Sequence, residues 1–92
     1  MGTNQQCWWV YLIRMANGHL YCGVTTDVNR RFEEHSAHPT KGAKALRGKG
    51  PLELVFTYEA SSKQQAMQLE WQLKQYPKKK KEALVAGEIS LL

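Results

Sequence analysis

The chain reads as a small α/β domain of the α+β kind: a three-stranded, mostly antiparallel sheet flanked by helices, in the order β-β-α-β-α-α. Three observations predict it. Two runs rich in aromatic and β-branched residues, Trp8 to Met15 and Leu20 to Thr25, are joined by the turn-forming Ala16-Asn17-Gly18. Apolar residues recur at helical spacing in two later stretches, and a third strand-like run stands between them. With 92 residues there is room for one core and little for a separate recognition module. The expected division is a polar segment over 1–7, one domain over 8–87 and a short tail over 88–92.

The first two runs predict a β-hairpin, with Tyr11 and Tyr21 near one another if the strands are antiparallel neighbours, in a register left open. Thr26 or Asp27 is the N-cap of a helix from Val28 to Ala37, in which Val28, Arg31, Phe32 and His35 follow at helical spacing. That helix ends before Pro39. Residues 41–50 then read as a basic, Gly-bearing loop, and Pro51 introduces a strand from Leu52 to Tyr58 whose alternation is imperfect. Ser61 or Ser62 caps a helix from Lys63 to Gln75 with Ala66, Leu69 and Leu73 as its apolar stripe. Pro77 breaks it, and a last short helix from Lys79 to Ala86 stops at Gly87.

Composition excludes several classes. No apolar run approaches the roughly eighteen residues that a membrane span requires, so a soluble, cytoplasmic protein without membrane contact is expected. The 2 cysteines, Cys7 and Cys22, form no CxxC pair and read as small hydrophobes of a reducing compartment. With His19, His35 and His38 they lack the paired spacing of a zinc site. The net charge of +5 is concentrated: Lys41, Lys44, Arg47 and Lys49 have no acid among them, and Lys78 to Lys81 are consecutive. That distribution suits a polyanion, nucleic acid above all.

Arg31 and His35, four apart on one helix, share a face and can reach the same phosphate. Arg31 is preferred to Arg30 because it stands beside the apolar seam with Phe32. Glu70 lies at the edge of the buried stripe of its helix, where a carboxylate needs a partner: a metal ion, or Lys74 one turn on. Taken singly, Tyr11 and Tyr21 are ordinary strand aromatics. Trp8 and Trp9 must point to opposite faces of their strand.

Taken together, Val10-Tyr11, Tyr21-Cys22-Gly23, Arg31 ten residues after Tyr21, His35 one helical turn later and Glu70 within Gln68-Leu69-Glu70-Trp71 form a pattern. It resembles the GIY-YIG nuclease superfamily, in particular its small single-domain YhbQ-like bacterial group, from Trp8 to Lys80. Three departures stand out: Cys22 in place of an aliphatic residue, Trp9 in place of the first motif's Gly, and no Asn in the last helix, where Lys74 or Lys80 is the candidate substitute. The resemblance implies a GIY-YIG-like fold and an endonuclease or nickase that hydrolyses DNA phosphodiesters around one divalent ion, Mg²⁺ or Mn²⁺. It implies Tyr11, Tyr21, Arg31, His35 and Glu70 as the catalytic set, with Tyr11 as general base, Arg31 on the scissile phosphate and Glu70 on the metal. Arg30, Lys41, Lys44, Arg47 and Lys49 are the candidates for backbone phosphates, giving affinity without sequence recognition. The expected partner is DNA, branched and single-stranded forms and RNA being left open, with a role in repair or recombination and a protein partner as one route to targeting. The competing expectation is a non-catalytic nucleic-acid-binding module on the same fold.

Overall fold

A computed structural model describes residues 7–37, 46 and 50–91. Strands β1 (Trp8–Arg14) and β2 (Leu20–Thr25) lead into helix α1 (Val28–Ala37), followed by β3 (Glu53–Ala60), α2 (Lys63–Gln75) and α3 (Lys78–Val85). The sheet order is β2-β1-β3, and both pairings of the central β1 are antiparallel. The expected architecture is therefore the observed one.

Local chemistry sets the boundaries. The hairpin turns on Met15 to Gly18: the Gly18 N–H donates to the Met15 carbonyl at 2.9 Å, the Met15 N–H to the His19 carbonyl at 2.8 Å, and Gly18 takes φ 88°. That left-handed conformation closes a three-residue loop and favours Gly. Asp27 caps α1 by accepting the Arg30 N–H at 3.0 Å, and Ser62 caps α2 by accepting the Gln65 N–H at 3.0 Å. The Gln65 side chain reaches back to the Ser61 N–H at 2.7 Å, close to a reciprocal capping box. Helix α3 starts one residue before the expected Lys79, directly after Pro77, whose φ of −66° suits a helix entry.

The imperfect alternation of β3 has a structural cause. Leu12 pairs with Phe56 but Ile13 with Leu54, so Val55 is an extra residue. This bulge sends Val55 and Phe56 toward the same face of the sheet and Leu54 toward the other.

The strand period of two divides the core. Val10, Leu12 and Cys22 face α2 and α3 and pack with Ala66, Leu69 and Leu73. Tyr11 and Ile13 face the α1 side, with Tyr21, Phe32 and Leu54. Val10, Leu12, Ile13 and Leu73 are fully buried, each contributing about 1.5–3 kcal/mol. Leu46 and Leu91 extend the two clusters: Leu46 is buried against the Tyr11 side, and Leu91 joins the α2 side. Trp8 and Trp9 do point to opposite faces. Trp8 packs on the α2 side with Lys63 Nζ 5.4 Å from its ring, and Trp9 lines a groove with Asp27 and Asn29 at the start of α1. Arg14, at the end of β1, ties α3 to the sheet through a two-pronged pair with Glu82 at 2.6 and 2.7 Å. Among the described residues, no helix is long and apolar enough to cross a membrane.

Candidate active site

The β1–β2 register puts Tyr11 opposite Gly23 and Tyr21 opposite Ile13. The two tyrosines are diagonal neighbours on one face, their ring centroids 6.4 Å apart. The Tyr11 ring lies across Gly23, so closely that a Cβ built there would stand 2.6 Å from the ring carbon bearing the hydroxyl. Gly23 is thus a packing requirement of Tyr11. Gly23→Ala is expected to displace that ring, lowering stability by about 1–3 kcal/mol, which thermal melting will read directly.

Helix α1 lays its Arg31, Phe32 and His35 face on the same side of the sheet. Phe32 packs beneath, and His35, only 7% exposed, brings Nε2 to 2.9 Å from the Tyr11 hydroxyl. The His35 ring also meets Tyr21 edge-on, with centroids 5.6 Å apart. Burial, reinforced by the charge of Arg31, holds His35 below its ordinary pKa of 6.5. The imidazole is therefore neutral at neutral pH, and in the tautomer with Nε2 unprotonated it accepts the Tyr11 O–H. Burial pushes the Tyr11 hydroxyl up to about 12, and Tyr21 adds to this, while the Arg31 guanidinium, within hydrogen-bonding reach, pulls the other way.

Arg31 is half-buried and pairs with Glu34 at 2.9 Å, three residues along the helix. Arg30 is exposed. Of the two, Arg31 is thus the less exposed, on the helix face that carries Phe32 and His35. Glu34 enters the site as the counter-charge of the cation beside Tyr11, a part that the (i, i+3) spacing signals but that the expected set of site residues left out.

Glu70 is placed differently. It projects from α2, on the other side of the sheet from the Tyr11–His35 pair. Its side chain is 18% exposed, and Lys74 Nζ lies 3.5 Å from the carboxylate. Its neighbour in the sheet is Cys22 of the edge strand β2: burial and then the Glu70 charge push that thiol up to about 12, against the opposing Lys74 and Lys81. Four of the five expected residues therefore form one cluster, and the fifth stands across β2 from it. Among the described residues no three His, Cys, Asp or Glu side chains converge as a ready-made metal cage. Lys41, Lys44, Arg47 and Lys49 lie outside the described residues.

Residues 7–83 match the family described as the GIY-YIG catalytic domain. Curated relatives include a UPF0213 protein of Klebsiella pneumoniae, 56% identical over 82 residues that make up 89% of this chain and 76% of the relative. Another, from Vibrio cholerae, is 58% identical over 81 residues, 87% of this chain and 78% of the relative. The solution NMR structure of a UPF0213 protein from Bacillus halodurans matches with a TM-score of 0.56 at 42% identity, covering 87% of this chain and 83% of that one. The chain belongs to the GIY-YIG catalytic domain family, within its UPF0213 group.

Proposed function

We propose that this protein is a divalent-metal-dependent endonuclease or nickase that hydrolyses DNA phosphodiesters with low sequence specificity, in the cytoplasm and in the service of repair or recombination. The observation that carries this reading is the buried Tyr11–His35 hydrogen bond with the Arg31 guanidinium beside it. A core tyrosine needs an acceptor for its hydroxyl but not a fixed cation beside it.

Hydrolysis requires a water to lose its proton as it attacks phosphorus, and positive charge where the pentacoordinate transition state gathers negative charge. A phenol at about 12 cannot serve as a free phenolate base near neutral pH. The hydrogen bond offers another route: the Tyr11 oxygen takes the water proton while its own proton passes to Nε2 of His35. The new O–P bond forms, the bond to the leaving oxygen breaks, and that oxygen takes its proton from solvent. Arg31 binds the scissile phosphate, its planar fork matching two phosphate oxygens, and exchanges its Glu34 partner to do so. Tyr21, edge-on to His35, holds the imidazole in place. Glu70, a largely buried carboxylate whose partner among the described residues, Lys74, stands at a loose 3.5 Å, would offer a hard oxygen ligand of the kind Mg²⁺ or Mn²⁺ prefers. Such an ion supplies charge neutralisation at the phosphate when bound.

The relay has a pH signature. It needs neutral His35, so the cleavage rate falls as pH drops through the depressed His35 value, below 6.5, and stays level from about pH 7 to 9. A lone phenolate base would instead raise the rate tenfold per pH unit over that range. Stability moves in the same sense. The unfolded chain binds a proton at His35 more readily than the folded one, so folding weakens as pH falls below 6.5. A pH–rate profile and a pH–melting profile check the two.

One observation favours the alternative of a binding module that retains the nuclease fold: Glu70 is paired with Lys74 and set apart from the tyrosines. The deciding experiment incubates the protein with supercoiled, single-stranded and branched DNA at low salt, with Mg²⁺, Mn²⁺ or chelator, beside Glu70→Ala. Metal-dependent nicking that Glu70→Ala abolishes, with binding intact, is the expected result; binding without cutting by the unaltered protein overturns it.

A further inference from the structure

Four consecutive lysines open α3, and successive helical side chains fan out by about 100° each, so they cannot share one task. Lys80 lies over the Tyr76 ring at 4.1 Å, and Lys79 is exposed. Lys78 and Lys81, three apart, share the face turned toward the β1–β2 turn. There they line a cleft of about 330 Å³ with Met15, His19 and Leu20. The turn is held in shape beside them: the His19 N–H donates to the Asn17 side chain at 3.0 Å, and Lys78 Nζ approaches to 3.8 Å from the position a Cβ on Gly18 would take. Lys78 has Glu82 at 3.6 Å, but that carboxylate is already engaged by both prongs of Arg14, so the cleft keeps an excess of positive charge.

Its position matters as much as its charge. Leu20 of the cleft is followed in β2 by Tyr21 of the candidate site and by Cys22, the neighbour of Glu70, Lys74 and Lys81. Edge strand β2 thus runs from the cleft directly between the tyrosine cluster on one face and Glu70 on the other. We propose that the cleft between the β1–β2 turn and the first turn of α3 is a DNA-backbone subsite, in which Lys78 and Lys81, with His19, hold phosphates next to the scissile one along the β2 edge. This rests on the proposed DNA substrate and adds the path that the strand takes.

The test measures binding of a labelled DNA duplex in the presence of chelator, so that nothing is cut, from about 50 to about 200 mM salt. Two phosphate contacts contribute about 1.8 to the slope of log affinity against log salt, and Lys78→Ala with Lys81→Ala is expected to make the slope shallower by that amount. Lys78→Gln with Lys81→Gln should do the same, and circular dichroism confirms that both variants are folded. Lys79→Ala with Lys63→Ala removes the same charge outside the cleft and is expected to leave the slope nearly unchanged. Equal losses in the two alanine pairs, no loss in either, or no binding by the unaltered protein overturns the subsite. Metal-dependent cutting with an unchanged slope sinks the subsite alone. A lost slope in a protein that never cuts keeps the subsite and sinks the nuclease.

Discussion

Arg31→Ala is expected to slow single-turnover DNA cleavage about a thousandfold at saturating metal, with the fold intact. The guanidinium is the cation beside the Tyr11 hydroxyl, held half-buried by Glu34 at 2.9 Å, so its charge is fixed where phosphate would arrive. Removing one preorganised charge of this kind from a phosphoryl-transfer site costs about 10²–10³ or more in rate. The fold should hardly notice, because a partly exposed ion pair contributes only about 0–1 kcal/mol. Arg31→Lys separates charge from shape: a point charge recovers part of the rate, but the two-pronged grip is lost. Arg30→Ala, on the exposed side of the helix, should leave the rate within a few-fold. Cleavage by Arg31→Ala at the unaltered rate would remove this residue from the phosphate.

Tyr11→Phe is the second large effect. The phenyl ring still lies across Gly23, so the packing of β1 on β2 is kept, but His35 Nε2 loses its buried partner, at a cost of about 1–3 kcal/mol. The rate is expected to fall about 10²–10⁴-fold, the range for losing a positioned proton-transfer group. The double variant with His35→Ala is informative because two groups acting in one relay are not additive. It should be no slower than the slower single variant. If the two losses multiply, Tyr11 and His35 act separately, and the hydrogen bond between them is structural.

Much of this geometry is legible in the sequence, and the reasons are local. The bounds of β2, α1 and α2 coincide with those expected because Asp27, Ser62 and Pro77 punctuate the chain where the apolar period changes. The pairing of Arg31 and His35 on one face follows from helical spacing alone. What depends on pairing between distant segments was not legible. The register that sets Tyr11 over Gly23 is a choice between neighbouring alignments, and the β3 bulge exists only in relation to β1, which is why that strand alternated poorly in isolation. Glu70 was legible as a half-buried carboxylate at the edge of its stripe, but not the face of the sheet on which α2 would carry it. Nor did spacing reveal that the Gly of Tyr21-Cys22-Gly23 makes room for a ring on the adjacent strand.

The alternation along β1 has a consequence for how this protein tolerates change. Val10 and Leu12 serve the scaffold on one face, whereas Tyr11 between them faces the candidate site on the other. Variation along this strand therefore has a two-residue beat. In a saturation library scored separately for cellular abundance and for turnover, exchanges among aliphatics at 10 and 12 alter abundance by small steps and leave turnover per folded molecule alone, whereas at position 11, buried against Gly23 and hydrogen-bonded to His35, both scores fall together. A chain so arranged can drift in robustness on one side of a single ribbon without touching the other, but not the reverse.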